Sequence, residues 1–209
     1  MANAEFLYEA EKLKLNRDEI YGEIKTAAEQ ITDLLDSLRE LSREDVSIAP
    51  RLAAIDQTVR RAVDAARVRS EMKARAISIR SSGDLTGVFD PQKMERALFN
   101  LVLNACEASA HVEGEIEVDI RAVGEFFEIR ISDCGPGVPP SIRETLFEPF
   151  VSFGKSNGTG LGLAIVHKVI HDHGGSIAVE STSSSGTTFL ARFPRVQPVS
   201  SQTTQMVNS

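Results

Sequence analysis

Cysteine is scarce in this 209-residue sequence: only Cys106 and Cys134 occur, with no CxxC spacing. A disulfide scaffold is thereby excluded, and a reducing, cytosolic setting is expected. Histidine is nearly as scarce, being confined to His111, His167, His171 and His173. No apolar run approaches the roughly 18 residues that a membrane span needs, and no signal-peptide pattern opens the chain. Any membrane anchor is therefore expected outside these residues. Positive charge is in deficit: 23 Lys and Arg stand against 30 Asp and Glu, a net charge of −7. That argues against nucleic acid or an anionic membrane as the main partner. The remainder is ordinary for a globular protein, 42% apolar and 25% charged. The length fits one or two domains of about 100–200 residues, enough for a core without disulfide or metal staples.

The first 45 residues differ from the rest. Ile20, Ile24, Ala27, Ile31, Leu34, Leu38 and Leu41 recur at alternating spacings of four and three, a heptad stripe on one long helix. Asn16 followed by Glu19 reads as a capping box that starts this helix near residue 17. Phe6, Leu7 and Leu13 form a second apolar cluster that ends a preceding helix. So narrow a stripe needs a partner, in a helical hairpin or a dimeric bundle. From about Val46 the pattern is mixed. Leu52, Ile55, Val59, Val63 and Ala66 fit one helix after Pro50, and residues 75–80 fit a strand. Asp90-Pro91 reads as an N-cap with proline at the first helical position, opening a helix over 91–108. Residues 115–121 and 125–133 alternate as a hairpin. A further helix carries Leu161, Ile165, Val169 and Ile170 and stops at Gly174-Gly175. Strands over 176–181 and 187–193 follow, and the tail beyond Pro194 is polar and aperiodic.

Three features bear chemistry. Asn100, Asn104 and Glu107 fall at i, i+4 and i+7 on the 91–108 helix, so they share the face opposite its apolar one. Their oxygens suit a hard cation such as Mg²⁺. Asp133 ends a strand whose inward positions are Phe127, Ile129 and Ile131. A carboxylate there needs a donor, and the exocyclic amine of a ligand base would serve. Gly135 and Gly137 let the turn after it approach a ligand. Finally, Gly158-Thr159-Gly160-Leu161-Gly162-Leu163 opens a helix, whose first amides and dipole suit phosphate. It is neither a Walker loop nor a dinucleotide fingerprint: position 149 is proline and position 163 is leucine.

Taken in order, Asn-x-x-x-Asn, Asp-x-Gly-x-Gly, Leu-Phe-Glu-Pro-Phe at 146–150 and Gly-Thr-Gly-Leu-Gly-Leu resemble the N, G1, F and G2 boxes of the sensor histidine kinases. Gly186-Thr187-Thr188-Phe189 is similar to the last glycine box. The resemblance implies an α+β fold: a two-layer sandwich of a mixed sheet with helices on one face, preceded by a long helix. It divides the chain into a partial dimerisation and phosphoacceptor segment (1–45), an ATP-binding catalytic domain (46–194) and a disordered tail (195–209). It further implies ATP and Mg²⁺ as cofactors. Asn104 is then the metal residue, supported by Asn100 and Glu107, and Asp133 meets the adenine amine. Gly135, Gly137, Gly158, Thr159, Gly160, Leu161 and Gly162 line the nucleotide, and Lys155 joins Asn100 and Asn104 in catalysis. A mobile lid is expected over 138–157, with Phe147 and Phe150 packing it against the helical segment. The implied partners are a second copy of the full-length protein and the receiver domain of a response regulator.

Three departures qualify the resemblance. Many members carry a lysine three residues after the metal asparagine, where this chain has Glu107, so Lys155 or Arg143 must neutralise phosphate. The lid segment over 151–157 is one residue longer than usual. No histidine stands where the acceptor belongs, so the chain reads as a fragment that binds Mg-ATP without phosphorylating itself. Gyrase-like and heat-shock-protein-90-like hydrolysis is disfavoured, because their water-activating glutamate is here Asn100. An anti-sigma-type serine kinase and a nucleotide-binding module without catalysis are the alternatives.

Overall fold

The computed structural model describes residues 48–69, 76–152 and 159–196, together with scattered positions between 17 and 42. The chain divides into two compact units, Met1–Ser42 and Arg43–Ser209. In the first, the described positions are helical (α1). Its stripe lies open, with Ile20, Ile24, Ile31 and Leu38 all exposed. A helix that leaves its apolar face in water gains little from burial, and burial is what holds most helices in proteins. The capping box at Asn16 and Glu19 and the cluster of Phe6, Leu7 and Leu13 lie outside the described residues.

In the second unit the elements run β1 (Arg51–Ala54), α2 (Ile55–Arg69), β2 (Ile77–Ser82), β3 (Thr86–Phe89), α3 (Pro91–Ala108), β4 (Ile116–Val123), β5 (Phe126–Ser132), α4 (Gly162–Asp172), β6 (Ser176–Ser183) and β7 (Gly186–Pro194). Five strands form one sheet in the order β2-β4-β5-β7-β6. The β2–β4 pair is parallel and the other pairs are antiparallel. Strict alternation in β4 and β5 sends Val118, Ile120, Phe127, Ile129 and Ile131 to one face. The register continues that face into Phe189, Ala191 and Phe193 of β7. Against it pack the apolar sides of α2, α3 and α4, all buried. Phe89, Phe127 and Phe193 meet at one end, with ring centroids 5.5–6.1 Å apart. The other face of the sheet is polar and carries the Arg130–Glu180 and Arg130–Glu128 pairs. This is the two-layer α+β architecture expected.

Three local readings are corrected. Leu52 is not on a helix: it lies in β1, paired with Val88 of β3 in a small two-stranded sheet, and is 73% exposed. Helix α2 starts only at Ile55, whose amide donates to the Leu85 carbonyl. The strand placed at 75–80 sits two residues later, where the alternation matches its parallel neighbour β4. Arg195 and Val196 are not loose tail. Arg195 bonds through its backbone to Val88 and Glu125 and through its guanidinium to Asp84, and Val196 bridges to Val88.

The two helices that flank the functional site share a joint. Asp90 caps α3, its Oδ1 accepting from the amides of Gln92 and Lys93, while its Oδ2 accepts from Ala49. Its own amide donates to Nε2 of buried His173 at the end of α4, and Nδ1 of that ring bonds the Val169 carbonyl. Both nitrogens are thus used by a neutral imidazole. Burial pushes the ring below its ordinary value of 6.5, although the Val169 carbonyl and nearby Asp90 and Asp172 pull it up. A depressed folded value means that stability is complete above the unfolded value and falls as pH drops through it. Melting temperature is expected to fall between about pH 7.5 and pH 5.5, and less so in His173→Gln. Equal slopes in the two proteins would show that His173 does not report this joint.

Candidate functional site

Helix α3, the end of β5 and the start of α4 converge at one end of the domain. Asn100 and Asn104 are partly buried on α3, and Glu107 is exposed one turn further on. Asn100 reaches α4, its Nδ2 lying 3.5 Å from the Gly162 carbonyl. The C-terminal end of α3 meets the turn after β5, where Ser109 Oγ accepts from the Cys134 amide.

Asp133 is the centre of that turn. Its side chain is 9% exposed, and Oδ1 accepts from the amides of Gly135 (2.8 Å) and Thr187 (3.2 Å). Burial pushes the carboxyl above the ordinary carboxylate value, and the two backbone amides pull it down. A second layer fixes the strand that supplies Thr187. The hydroxyls of Thr182 and Thr187 lie 3.2 Å apart, and Thr182 Oγ1 accepts from the Val138 amide. Thr182 and Ser109 carry no signal in the sequence, and Thr187 stands out there as part of the last glycine box. A further signal available for Thr187 was a polar residue at an inward position of the β7 alternation.

The glycines of this turn also meet a packing constraint. A side chain on Gly135 would strike the Ala108 carbonyl and Cβ, and one on Gly137 (φ +81°) would strike the Ser183 carbonyl. Protein rather than ligand fills those directions, so glycine is required by the packing of the turn onto α3 and the β6–β7 hairpin.

Past Gly137 the chain makes one 3₁₀ turn at Pro140–Ile142. Arg143, a candidate phosphate cation, gives its Nε to the Val138 carbonyl. Phe147 packs against His167 (5.8 Å) and Phe189 (6.4 Å) of its own domain. Phe150 is 67% exposed and holds a φ of +68°, rare for a bulky residue. Its amide donates to the Gly160 carbonyl, and Gly160 is itself at φ +68°. Lys155 and Gly158 lie outside the described residues. Thr159 is exposed, its hydroxyl 3.4 Å from the Leu161 amide, and Leu161 is buried. Helix α4 then starts at Gly162 with no side-chain cap, unlike α3. Its first amides are left for a ligand or solvent. Among the described residues no three His, Cys, Asp or Glu side chains are grouped to hold a metal.

Residues 89–197, just over half of the chain, match the model of the family described as histidine kinase-, DNA gyrase B- and HSP90-like ATPase. The chain belongs to that family. Its relatives place it on the sensor histidine kinase branch, over the anti-sigma-type alternative. The C4-dicarboxylate transport sensor protein DctB of Rhizobium meliloti (strain 1021) is 34% identical over 174 residues, 82% of this chain and 28% of that protein. Sensor histidine kinase ZraS of Escherichia coli (strain K12) is 37% identical over 105 residues, 50% of this chain and 22% of that protein. The structure of full-length ShkA in complex with AMPPNP superposes with a TM-score of 0.67 at 26% identity, covering 81% of this chain and 36% of that one. The chain thus spans about a quarter of the curated relatives it matches. What it contains of a histidine kinase is the ATPase-type catalytic domain. Among the described residues no helix is long and apolar enough to cross a membrane.

Proposed function

We propose that this domain binds Mg-ATP and presents the γ-phosphoryl group to a histidine on a helical bundle, for relay to the receiver domain of a response regulator. The observation that carries the reading is Asp133, a buried carboxylate held by two backbone amides at the end of an apolar strand. Such a group is retained against its burial cost when a ligand donor completes it, and the adenine amine is that donor. Asn104, with Asn100 and Glu107 on the same face of α3, offers the oxygens for Mg²⁺. The lack of a carboxylate cluster among the described residues fits an ion held largely by phosphates and water. When bound, the ion neutralises charge on the phosphates. The uncapped amides at the start of α4 and Lys155 take the remaining phosphate oxygens, with Gly158, Thr159, Gly160, Leu161 and Gly162 shaping that edge. Position 107, glutamate here, supplies no cation, so the share left to α4 and Lys155 is larger. Catalysis of this kind rests on positioning and charge neutralisation.

The acceptor is not in this domain. His173 has both ring nitrogens engaged, and the exposed stripe of α1 suits a dimeric bundle that carries the acceptor in the full-length protein.

Calorimetric titration with AMPPNP is the test. Mg²⁺-dependent binding is expected, weakened at least about tenfold in Asn104→Ala. Incubation with ATP should leave no phosphohistidine on this chain alone, but should phosphorylate an added acceptor bundle. Nucleotide binding without transfer to any bundle would favour a module without catalysis, and absence of binding would overturn the reading.

A further inference from the structure

His167 and His171 stand four residues apart on α4, so they share one side of the helix. Both are exposed. Their rings lie 6.2 Å apart at 23° between planes, and the Phe147 ring lies 5.8 Å from that of His167, tilted by 30°. Stacking uses ring faces and leaves the nitrogens on the ring edges. Among the described residues neither imidazole makes a hydrogen bond, in contrast to His173, which uses both nitrogens. The neighbouring carboxylate of Asp172 is paired with Lys168 at 3.3 Å. Nothing in the ATP site calls for this pair.

We infer that His167 and His171 form a two-imidazole site for a borderline transition-metal ion, Zn²⁺, Ni²⁺ or Cu²⁺, on the outer side of α4 and separate from the Mg²⁺ site. Paired histidines at i, i+4 on a helix present two nitrogens to one ion. Imidazole selects these metals over Mg²⁺. With metal–nitrogen bonds of about 2.0–2.1 Å, two rings on one tetrahedral ion have centroids about 5 Å apart. The observed pair needs to close by about 1 Å, and these exposed rings must turn out of their near-parallel arrangement so that one ion lies in the plane of both. Water completes the coordination. Because Phe147 rests on His167, the ion also fixes the ring that seats the segment leading to Phe150.

The test is calorimetric titration of the tag-free chain with ZnCl₂ and with NiCl₂ in excess Mg²⁺, alongside NMR of the histidine ring nitrogens. One ion per chain is expected, shifting the His167 and His171 resonances and leaving His173 unmoved. His167→Ala and His171→Ala should each weaken binding at least about tenfold, while His111→Ala leaves it unchanged. Both positions are exposed, so the melting temperatures of these variants should match the parent. Undiminished affinity in the His167→Ala/His171→Ala double variant, binding traced to Cys106, Cys134 or His111, or no binding at all would overturn the inference.

Discussion

Asp133→Asn is expected to abolish ATP binding while leaving the domain at least as stable as before. Burial raises the folded value of this carboxyl above the ordinary 3.8. The ionised form is therefore a cost to the fold that appears as pH rises through 3.8 and is complete above the folded value. At neutral pH an amide removes that cost. It also keeps an Oδ1 to accept from Gly135 and Thr187, the two bonds that hold the turn. On the ligand side the change is the reverse. Where the carboxylate offers an acceptor to the adenine amine, the amide nitrogen offers a second donor. A lost charged hydrogen bond and an unpaired buried donor together correspond to about a hundredfold or more in affinity. Calorimetry with AMPPNP and a thermal melt on the same sample check both halves. Retained affinity would sink the adenine role. A markedly lower melting temperature would mean that the charge itself holds the turn.

The largest loss of stability is expected from Gly186→Ala. Gly186 begins β7 at φ +140°, and a methyl group there would run into the backbone carbonyl of Asp133. Neither partner is a side chain that can swing away, so the strand must leave its register or the turn must move. A cost of about 3 kcal/mol or more follows, or roughly 6–12 °C in melting temperature for a domain of this size. Nucleotide affinity should fall with it, because the displaced group is Asp133. Gly124→Ala is the control: it also has a positive φ, +57°, but nothing lies within 4 Å of the added carbon. Only the backbone strain of roughly 1–2 kcal/mol remains there. Equal losses at the two positions would show that conformation alone, and not contact with Asp133, explains the need for glycine at 186.

These two residues also mark how far the sequence could be read. Helix α3 was legible because its signals are local: Asp90-Pro91 at the cap and a 3.6-residue apolar period behind it. Asp133 was legible because a carboxylate closing an apolar alternation is out of place in the pattern. Strand β1 was not, since four residues leave no period of their own and Leu52 happens to extend the period of α2. The share of Thr187 in holding Asp133 depends on a residue 54 positions away, and no spacing rule carries that. The packing constraint at Gly135 and Gly137 was hidden on the same ground. A glycine announces that space is short, but only the packed structure shows that Ala108 and Ser183 occupy it. Phe147 likewise found its neighbours on α4 and β7 through tertiary packing alone.

The bond from the Phe150 amide to the Gly160 carbonyl joins two residues that both hold a left-handed backbone. It cinches the chain on either side of residues 151–159. The strain of the cinch falls outside that span, and so do Asp133 and the body of α4. Donor and acceptor are both backbone groups, so the cinch is written in main-chain conformation and not in side-chain chemistry. It lasts only while both positions keep a left-handed backbone, and a β-carbon at position 160 would run into the Phe150 backbone and open it.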